Sequence, residues 1–334
     1  MNTRVQVIAE IGVNHNGSLD KALRLVDVAV GCGADIVKFQ TFSATRLAST
    51  GTPKVPYQER DTSTSSHLLM LSRLELSYED QTRMFDYCSA ANIEFMSTPY
   101  GVPEAKFLLD LGVERFKTAS ADIVDVPLHQ FLAATRKPVL VSTGMASALE
   151  VSNVVSIYET NDSNLTLMHT TSEYPTPASA TNILRLERLK EFGHPVGYSD
   201  HTEGFVAAVM AIASGVSVIE RHITLDRADV GPDHFASDQP EEFSAYVSAV
   251  REAETRMGSH EFTRTPAEEA MAKTSRKSLH MAVSRPSGWR LESDDLTLRR
   301  PGTGLGWSEV DQVKGRKLKR ALLEGSIVTE DDLT

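Results

Sequence analysis

The chain has 334 residues, 41% hydrophobic and 24% charged, so it can bury a sizeable core and is excluded from the disordered class. Its net charge of −11 argues against the basic face of a generic nucleic-acid binder but leaves room for local cations around a small anion. Two cysteines, Cys32 and Cys88, exclude a disulfide framework and read as reduced thiols.

Short apolar runs rich in Val, Ile, Phe and Thr alternate with segments of helical period. Val5–Val13 reads as a strand and Ser18–Gly31 as the helix after it, capped by Ser18. Asp35–Phe42 is the second strand. It leads into a long connection, Ser43–Leu76, with Gly51, Pro53 and Pro56, a polar run Thr62–Ser66 and an apolar stretch Leu68–Leu76. A connection this long after a strand usually acts at the ligand-binding face, and Tyr57 and Gln58 are its candidate contacts. Helix Ser77–Ala91, strand Glu94–Tyr100, helix Val102–Leu111, strand Arg115–Ser120 and helix Asp125–Arg136 follow, with Asp125 as a cap. Then come strand Pro138–Gly144, helix Ala148–Asn161, strand Asn164–Thr171 and helix Thr181–Phe192, capped by Thr181. Strand Pro195–His201, helix Phe205–Gly215, strand Val218–Leu225 and helix Glu241–Met257 complete the series.

Eight β-α units predict a TIM (β/α)8 barrel over residues 1–258. A doubly wound sheet is the rival, with fewer strands expected at this length. The strands read apolar on both faces, as parallel strands packed inside a barrel do. Residues 259–275 read as a polar linker, with a short helical patch at Ala267–Ala272. Residues 276–334 read as a small β-rich domain, with a strand-like Ser278–Val283 and turns at Pro286, Pro301 and Gly304. The start of the chain shows no apolar run with a cleavage site. The longest apolar windows, such as Phe205–Val218, are too short and broken to span a bilayer. The expectation is a cytoplasmic protein with no membrane and no nucleic-acid partner.

A TIM barrel gathers its site at the C-terminal ends of its strands. There the sequence offers Glu10, Lys38 with Gln40, Thr98, Lys117 with Ser120, Ser142 with Thr143, and His169 with Thr171 and Ser172. The last strands add Ser199-Asp200-His201 and Glu220-Arg221-His222. Lys38 and Lys117 lie inside apolar strands, where a lysine is costly unless an anion or carboxylate meets it. With Ser120, Ser142 and Ser199 near, they suggest a dianion such as phosphate; an internal ion pair with Glu10 or Glu220 is the plainer alternative. His201 and His222 end neighbouring strands, each near a carboxylate, Asp200 or Glu220, and could share one divalent metal. With only two protein nitrogens, water and substrate oxygens would complete its shell, which suits a Mn2+- or Mg2+-type ion.

At IAEIGVNHNG (Ile8–Gly17) and VKFQTF (Val37–Phe42) the chain resembles the sialic acid synthase family. The resemblance runs on through STPY (Ser97–Tyr100), FKTAS (Phe116–Ser120), VSTGM (Val141–Met145) and TTSEYPTP (Thr170–Pro177). GYSDHT (Gly197–Thr202), IERHIT (Ile219–Thr224), GPDH (Gly231–His234) and RRPGTGL (Arg299–Leu305) complete it, the last in a segment resembling the antifreeze-like domain. The family includes the neuraminic, legionaminic and pseudaminic acid synthases, whose acceptors differ at sugar carbons two, four and six.

The resemblance implies condensation of phosphoenolpyruvate with N-acetylmannosamine or a related acetamido sugar, giving a nine-carbon α-keto acid and phosphate. It implies that Lys38, Thr98, Lys117, Ser120, Ser142, Ser172 and Ser199 bind phosphoenolpyruvate. Gln40, Tyr174, Asp233 and Glu10 would lie on the sugar side, and His201 and His222 would hold a divalent metal, Mn2+ foremost, with Mg2+ or Co2+ as others. Glu10 and Glu220 are both candidates for handling the attacking water or the sugar hydroxyls. Ser172 and Asp122 stand where other members carry Asn and Glu. Arg300 would reach the barrel of a partner in a domain-swapped homodimer. The nearest rival is a metal-free pyruvate aldolase with Lys117 as Schiff base.

Overall fold

The computed structural model describes residues 4–54, 58, 64 and 66–334. The described chain divides into two compact units, Met1–Gly258 and Ser259–Thr334. The first unit carries eight parallel strands: β1 Gln6–Gly12, β2 Ile36–Thr41, β3 Glu94–Pro99, β4 Phe116–Thr118, β5 Val139–Ser142, β6 Leu165–His169, β7 Val196–Asp200 and β8 Val218–His222. Their order is β3-β2-β1-β8-β7-β6-β5-β4, with β3 and β4 side by side but joined by no ladder among the described residues. β8 returns to pair with β1, so the sheet curls into a near-closed TIM-type barrel rather than a doubly wound sheet.

Strand alternation sorts the side chains. Val7, Ala9, Ile11, Val37, Phe39, Val139, Val141, Val196, Tyr198 and Ile219 face outward and join the helices in the main core. Ile8, Ile36, Met96, Leu140, Met168 and Val218 face inward and plug the barrel with a dry layer. Gly197 sits opposite Val218 and Met168 in this layer. A Cβ there would lie 2.2 Å from Met168 Sδ and 2.6 Å from Val218 Cγ1, so the missing side chain is what lets the plug close. Two residues beyond Ile8, Ile36, Met96, Leu140 and Val218 stand Glu10, Lys38, Thr98, Ser142 and Glu220, all expected at the site; beyond Met168 stands Thr170.

The long connection after β2 becomes a short helix Ala44–Leu47 and a helix His67–Leu74. Met70, Leu71 and Leu74 pack with Val13, Phe42, Ala44 and Ala48 in a small core of their own. Both ends are tied down: Glu75 Oε2 accepts from the amide of Ala44 at 2.7 Å, and the buried Glu104 pairs with Arg46. Tyr57 lies outside the described residues.

Ser18 and Asp125 cap their helices as expected, accepting from the amides of Lys21 and Leu128. Thr181 does not. The helix there begins only at Arg185, because the Thr181 carbonyl accepts from His169 Nε2 at 2.8 Å and its hydroxyl donates to Pro177 O. The stretch expected as linker is more ordered than a flexible tether. Pro266–Ser275 is a helix with a capping box between Thr265 and Glu268.

In the second unit, β9 Ser278–Met281 and β10 Leu296–Arg299 pair antiparallel over an apolar core that includes Leu279, Met281, Leu291, Val313, Leu318, Val328 and Leu333. Among the described residues no helix is long and apolar enough to cross a membrane.

Replacing Gly197 with Ala forces Met168 and Val218 apart. We expect a loss of about 1–3 kcal/mol of stability, read from urea midpoints, with an unchanged midpoint excluding this account of the plug.

Candidate active site

The inner residues one layer above the plug are charged. Lys38 Nζ lies 2.6 Å from Glu10 Oε2 and 3.8 Å from Glu220 Oε1, and donates to Thr98 Oγ1 at 3.1 Å. Lys117 Nζ lies 3.6 Å from Glu220 Oε1 and donates to Ser142 Oγ at 2.6 Å. Ser199 Oγ donates to Glu220 Oε1 at 3.1 Å, and Gln40 Nε2 to Glu10 Oε1 at 3.1 Å. The register builds this directly: Glu10 stands beside Lys38 on β2 and His222 on β8, and Ser199 beside Glu220. The plainer alternative, that the lysines meet internal carboxylates, is therefore realised, and it leaves hydroxyls around them for an anion.

Burial and charge push these groups apart. Burial drives the Glu10 carboxyl up to about 7, more than Lys38 draws it down. Burial also acts on Glu220, but the Lys117 and Lys38 ammoniums outweigh it and hold that carboxyl down to about 2. Burial lowers Lys117, and Glu220 only partly restores it. Lys38 ends raised, its burial outweighed by Glu10 and Glu220. Two carboxylates with separated titrations in one cleft are the ingredients of acid–base work.

The barrel residues that the resemblance implies for substrate and metal, from Glu10 and Lys38 to His222 and Asp233, line one cavity of about 550 Å³. Ser120 and Ser172 converge on Gly144, where a Cβ would lie 2.6 and 2.5 Å from their hydroxyl oxygens. The missing side chain in the turn after β5 is thus what lets the two hydroxyls meet beside the cavity, which both serines line. Gln58 lines the cavity, with Leu47, Met70, Leu71 and Leu74 from the long connection forming an apolar wall.

Above the charged layer, the rings of His201 and His222 lie 5.5 Å apart, and Tyr174 stacks on His201 at 4.1 Å. His201 Nδ1–H donates to Thr171 O at 2.9 Å, which leaves Nε2 with its lone pair. His222 Nδ1 is buried with no hydrogen-bond partner among the described residues. Burial keeps His201 neutral, near 4, and His222 well below its usual value. Two neutral imidazoles, one with an orphaned nitrogen, fit a divalent metal. Among the described residues no three or more His, Cys, Asp or Glu gather as a closed cage, so such an ion would take its remaining ligands from water or substrate. Asp233 Oδ2 lies 3.9 Å from His222 Nδ1, and burial raises that carboxyl to about 6.

Five strand-end residues fall elsewhere: Thr143 donates to Met168 O, and Arg221 pairs with Asp238. His169 and Thr171 face away and bond the backbone of Thr181 and Ala180. Asp200, read as a carboxylate near the metal, sits between inward-facing neighbours and so points outward, to Tyr246 and Arg221. Arg300 belongs to the second unit, where it is exposed.

The model of the NeuB family matches residues 25–262. The chain belongs to the NeuB family. Residues 276–334 match the SAF domain. Two NeuB-type relatives are N,N'-diacetyllegionaminic acid synthases. That of Legionella pneumophila is 40% identical over 96% of this chain and 92% of its own. That of Campylobacter jejuni is 35% identical over 97% and 98%. Among solved structures, the N-acetylneuraminic acid (sialic acid) synthetase of Leptospira borgpetersenii, in complex with citrate, is 31% identical. It covers 81% of this chain and 90% of that chain, with a TM-score of 0.72.

Glu220 is the shared counter-charge of both lysines, so Glu220→Gln leaves Lys117 buried without a carboxylate. We expect a loss of about 3–5 kcal/mol in thermal or urea unfolding, and a smaller loss for Gln40→Ala, which removes only a neutral donor.

Proposed function

We propose that this NeuB-family chain condenses phosphoenolpyruvate with an acetamido six-carbon aldose and water, releasing phosphate and a nine-carbon α-keto acid, as a cytoplasmic homodimer. The observation that carries the reading is the cluster itself: two buried ammoniums and the hydroxyls of Ser120, Ser142, Ser172 and Ser199 in one cavity with two neutral imidazoles. The likeness to two N,N'-diacetyllegionaminic acid synthases favours an acceptor with two acetamido groups, since the three carbons of pyruvate bring none.

Lys38 and Lys117 hold the carboxylate and phosphate of phosphoenolpyruvate, with hydroxyls supplying directed donors. Its enol carbon then bonds to the aldehyde carbon of the acceptor, and the cation left at the neighbouring carbon takes up water. The resulting adduct expels phosphate and closes to the ketone. Glu10 is suited to move the protons, giving one to the new alkoxide and accepting one from water, because its carboxyl titrates near neutrality while Glu220 stays ionised. Gln40 fixes Glu10, and Tyr174 and Asp233 face the acceptor. His201 and His222 would hold Mn2+, Mg2+ or Co2+, whose chemistry when bound is Lewis-acid polarisation of the acceptor carbonyl. In the dimer the partner subunit's Arg300 would meet an acetamido carbonyl.

The test is phosphate release from phosphoenolpyruvate with Mn2+ and each candidate sugar. We expect turnover with 2,4-diacetamido acceptors above that with N-acetylmannosamine, and none in EDTA. Lys38→Met and Lys117→Met should each raise the phosphoenolpyruvate KM about tenfold to a hundredfold, the worth of one charge-assisted contact of about 1.5–3 kcal/mol. No phosphate release with any acetamido hexose would sink the reading. Lys117, with its lowered titration, also suits a Schiff-base aldolase. Borohydride trapping of pyruvate on Lys117 would favour that rival. For the dimer, inactive Arg300→Ala and Lys38→Met chains, mixed with subunit exchange confirmed, should regain activity.

A further inference from the structure

The outward-facing residues next to the two histidines form a buried charged network. Asp200 precedes His201, Arg221 precedes His222, and the two stand opposite each other in the β7–β8 register. Arg221 donates bidentately to Asp238, Nε to Oδ2 at 2.9 Å and Nη2 to Oδ1 at 2.6 Å. Its Nη1 donates to Thr202 O and lies 3.5 Å from Asp200 Oδ1. Its guanidinium carbon lies 5.0 Å above the Tyr246 ring, whose hydroxyl donates to Asp200 Oδ2 at 3.0 Å. Asp200 Oδ1 also accepts from the Thr202 amide and hydroxyl at 2.8 and 2.7 Å.

These bonds end on the backbone that carries the site. The Asp238 amide donates to His222 O at 3.0 Å, and Thr224 N donates to Asp238 O at 2.9 Å. Asp238 follows Ser237, whose hydroxyl donates to Asp233 O at 2.7 Å. One guanidinium therefore fastens three pieces: the chain just after His201, the strand end at His222 and the loop of Asp233. All three are strand ends or loops, which barrel packing alone does not hold in place.

We infer that Arg221 is a positioning residue, which with Asp200 and Asp238 fixes the spacing and aim of the His201 and His222 rings and the approach of Asp233. The inference rests on the reading of those histidines as metal ligands. Groups that orient a metal-bound histidine typically govern affinity by about 10–100-fold. A lysine cannot reproduce the planar fork, so it is no conservative replacement here.

The experiment compares Arg221→Lys and Asp238→Asn with the wild-type full chain. Mn2+ affinity is measured by titration calorimetry without substrates, alongside kcat, the phosphoenolpyruvate KM and the thermal midpoint. Val155→Ala, a core truncation on the helix that follows β5, serves as a control for lost stability alone. The expected result is an Mn2+ affinity lowered about tenfold or more in both network variants, with kcat lowered and the phosphoenolpyruvate KM within about twofold. Val155→Ala should keep its Mn2+ affinity despite a lower midpoint. Unchanged Mn2+ affinity in both network variants, or an equal loss in Val155→Ala, overturns the inference. If Arg221→Lys does not fold, Asp238→Asn and Tyr246→Phe decide on the same readouts. A wild-type chain that binds no Mn2+ overturns the metal reading instead. The network is then judged by kcat, which the variants must lower while the phosphoenolpyruvate KM holds.

Discussion

The structure turns on four charges kept inside a barrel. Glu10, Lys38, Glu220 and Lys117 are each almost wholly buried, and each would cost several kcal/mol if left alone out of water. They persist because the charges balance in pairs and because hydroxyls and an amide take up further valences. The balance is uneven in a useful way. Glu220 is shared by two ammoniums and stays ionised, while Glu10 titrates near neutrality. When Glu10 carries its proton, the layer holds a surplus of positive charge that an entering anion can neutralise.

Everything beneath this layer serves to keep it dry and in place. The apolar plug fills the barrel interior below the charges, and Gly197 is the concession that lets Met168 and Val218 meet. Above the charges the work passes from strands to loops. There the small core of the β2–β3 connection supplies an apolar wall, and Arg221 ties together the ends that carry the imidazoles.

Much of this was legible in the sequence because the pattern obeys a period of two. A lysine in IVKFQ or RFKTAS can sit only on the inner face when its neighbours pack outward, so Lys38 and Lys117 announced the site. The same rule, pressed further, would have turned Asp200 and Arg221 outward, since each stands between residues that must face in. What alternation cannot reach is how loops spend their polar groups. Thr181 has the chemistry of a helix cap, yet its carbonyl and hydroxyl go to His169 and Pro177, partners set by tertiary contact alone. Gly144 shows the limit from the other side, for its role depends on two serines from other loops that meet across it.

The plug also sets a floor. It fills the barrel interior beneath the charged layer, so the cavity that Lys38 and Glu220 line rests on apolar side chains. Gln40 stands two residues beyond Lys38 on β2, and His222 two beyond Glu220 on β8, a rise of roughly 6–7 Å for an extended chain. A ligand that reached Lys38 would therefore sit deeper along the strands than one held at Gln40, with the apolar plug as its floor.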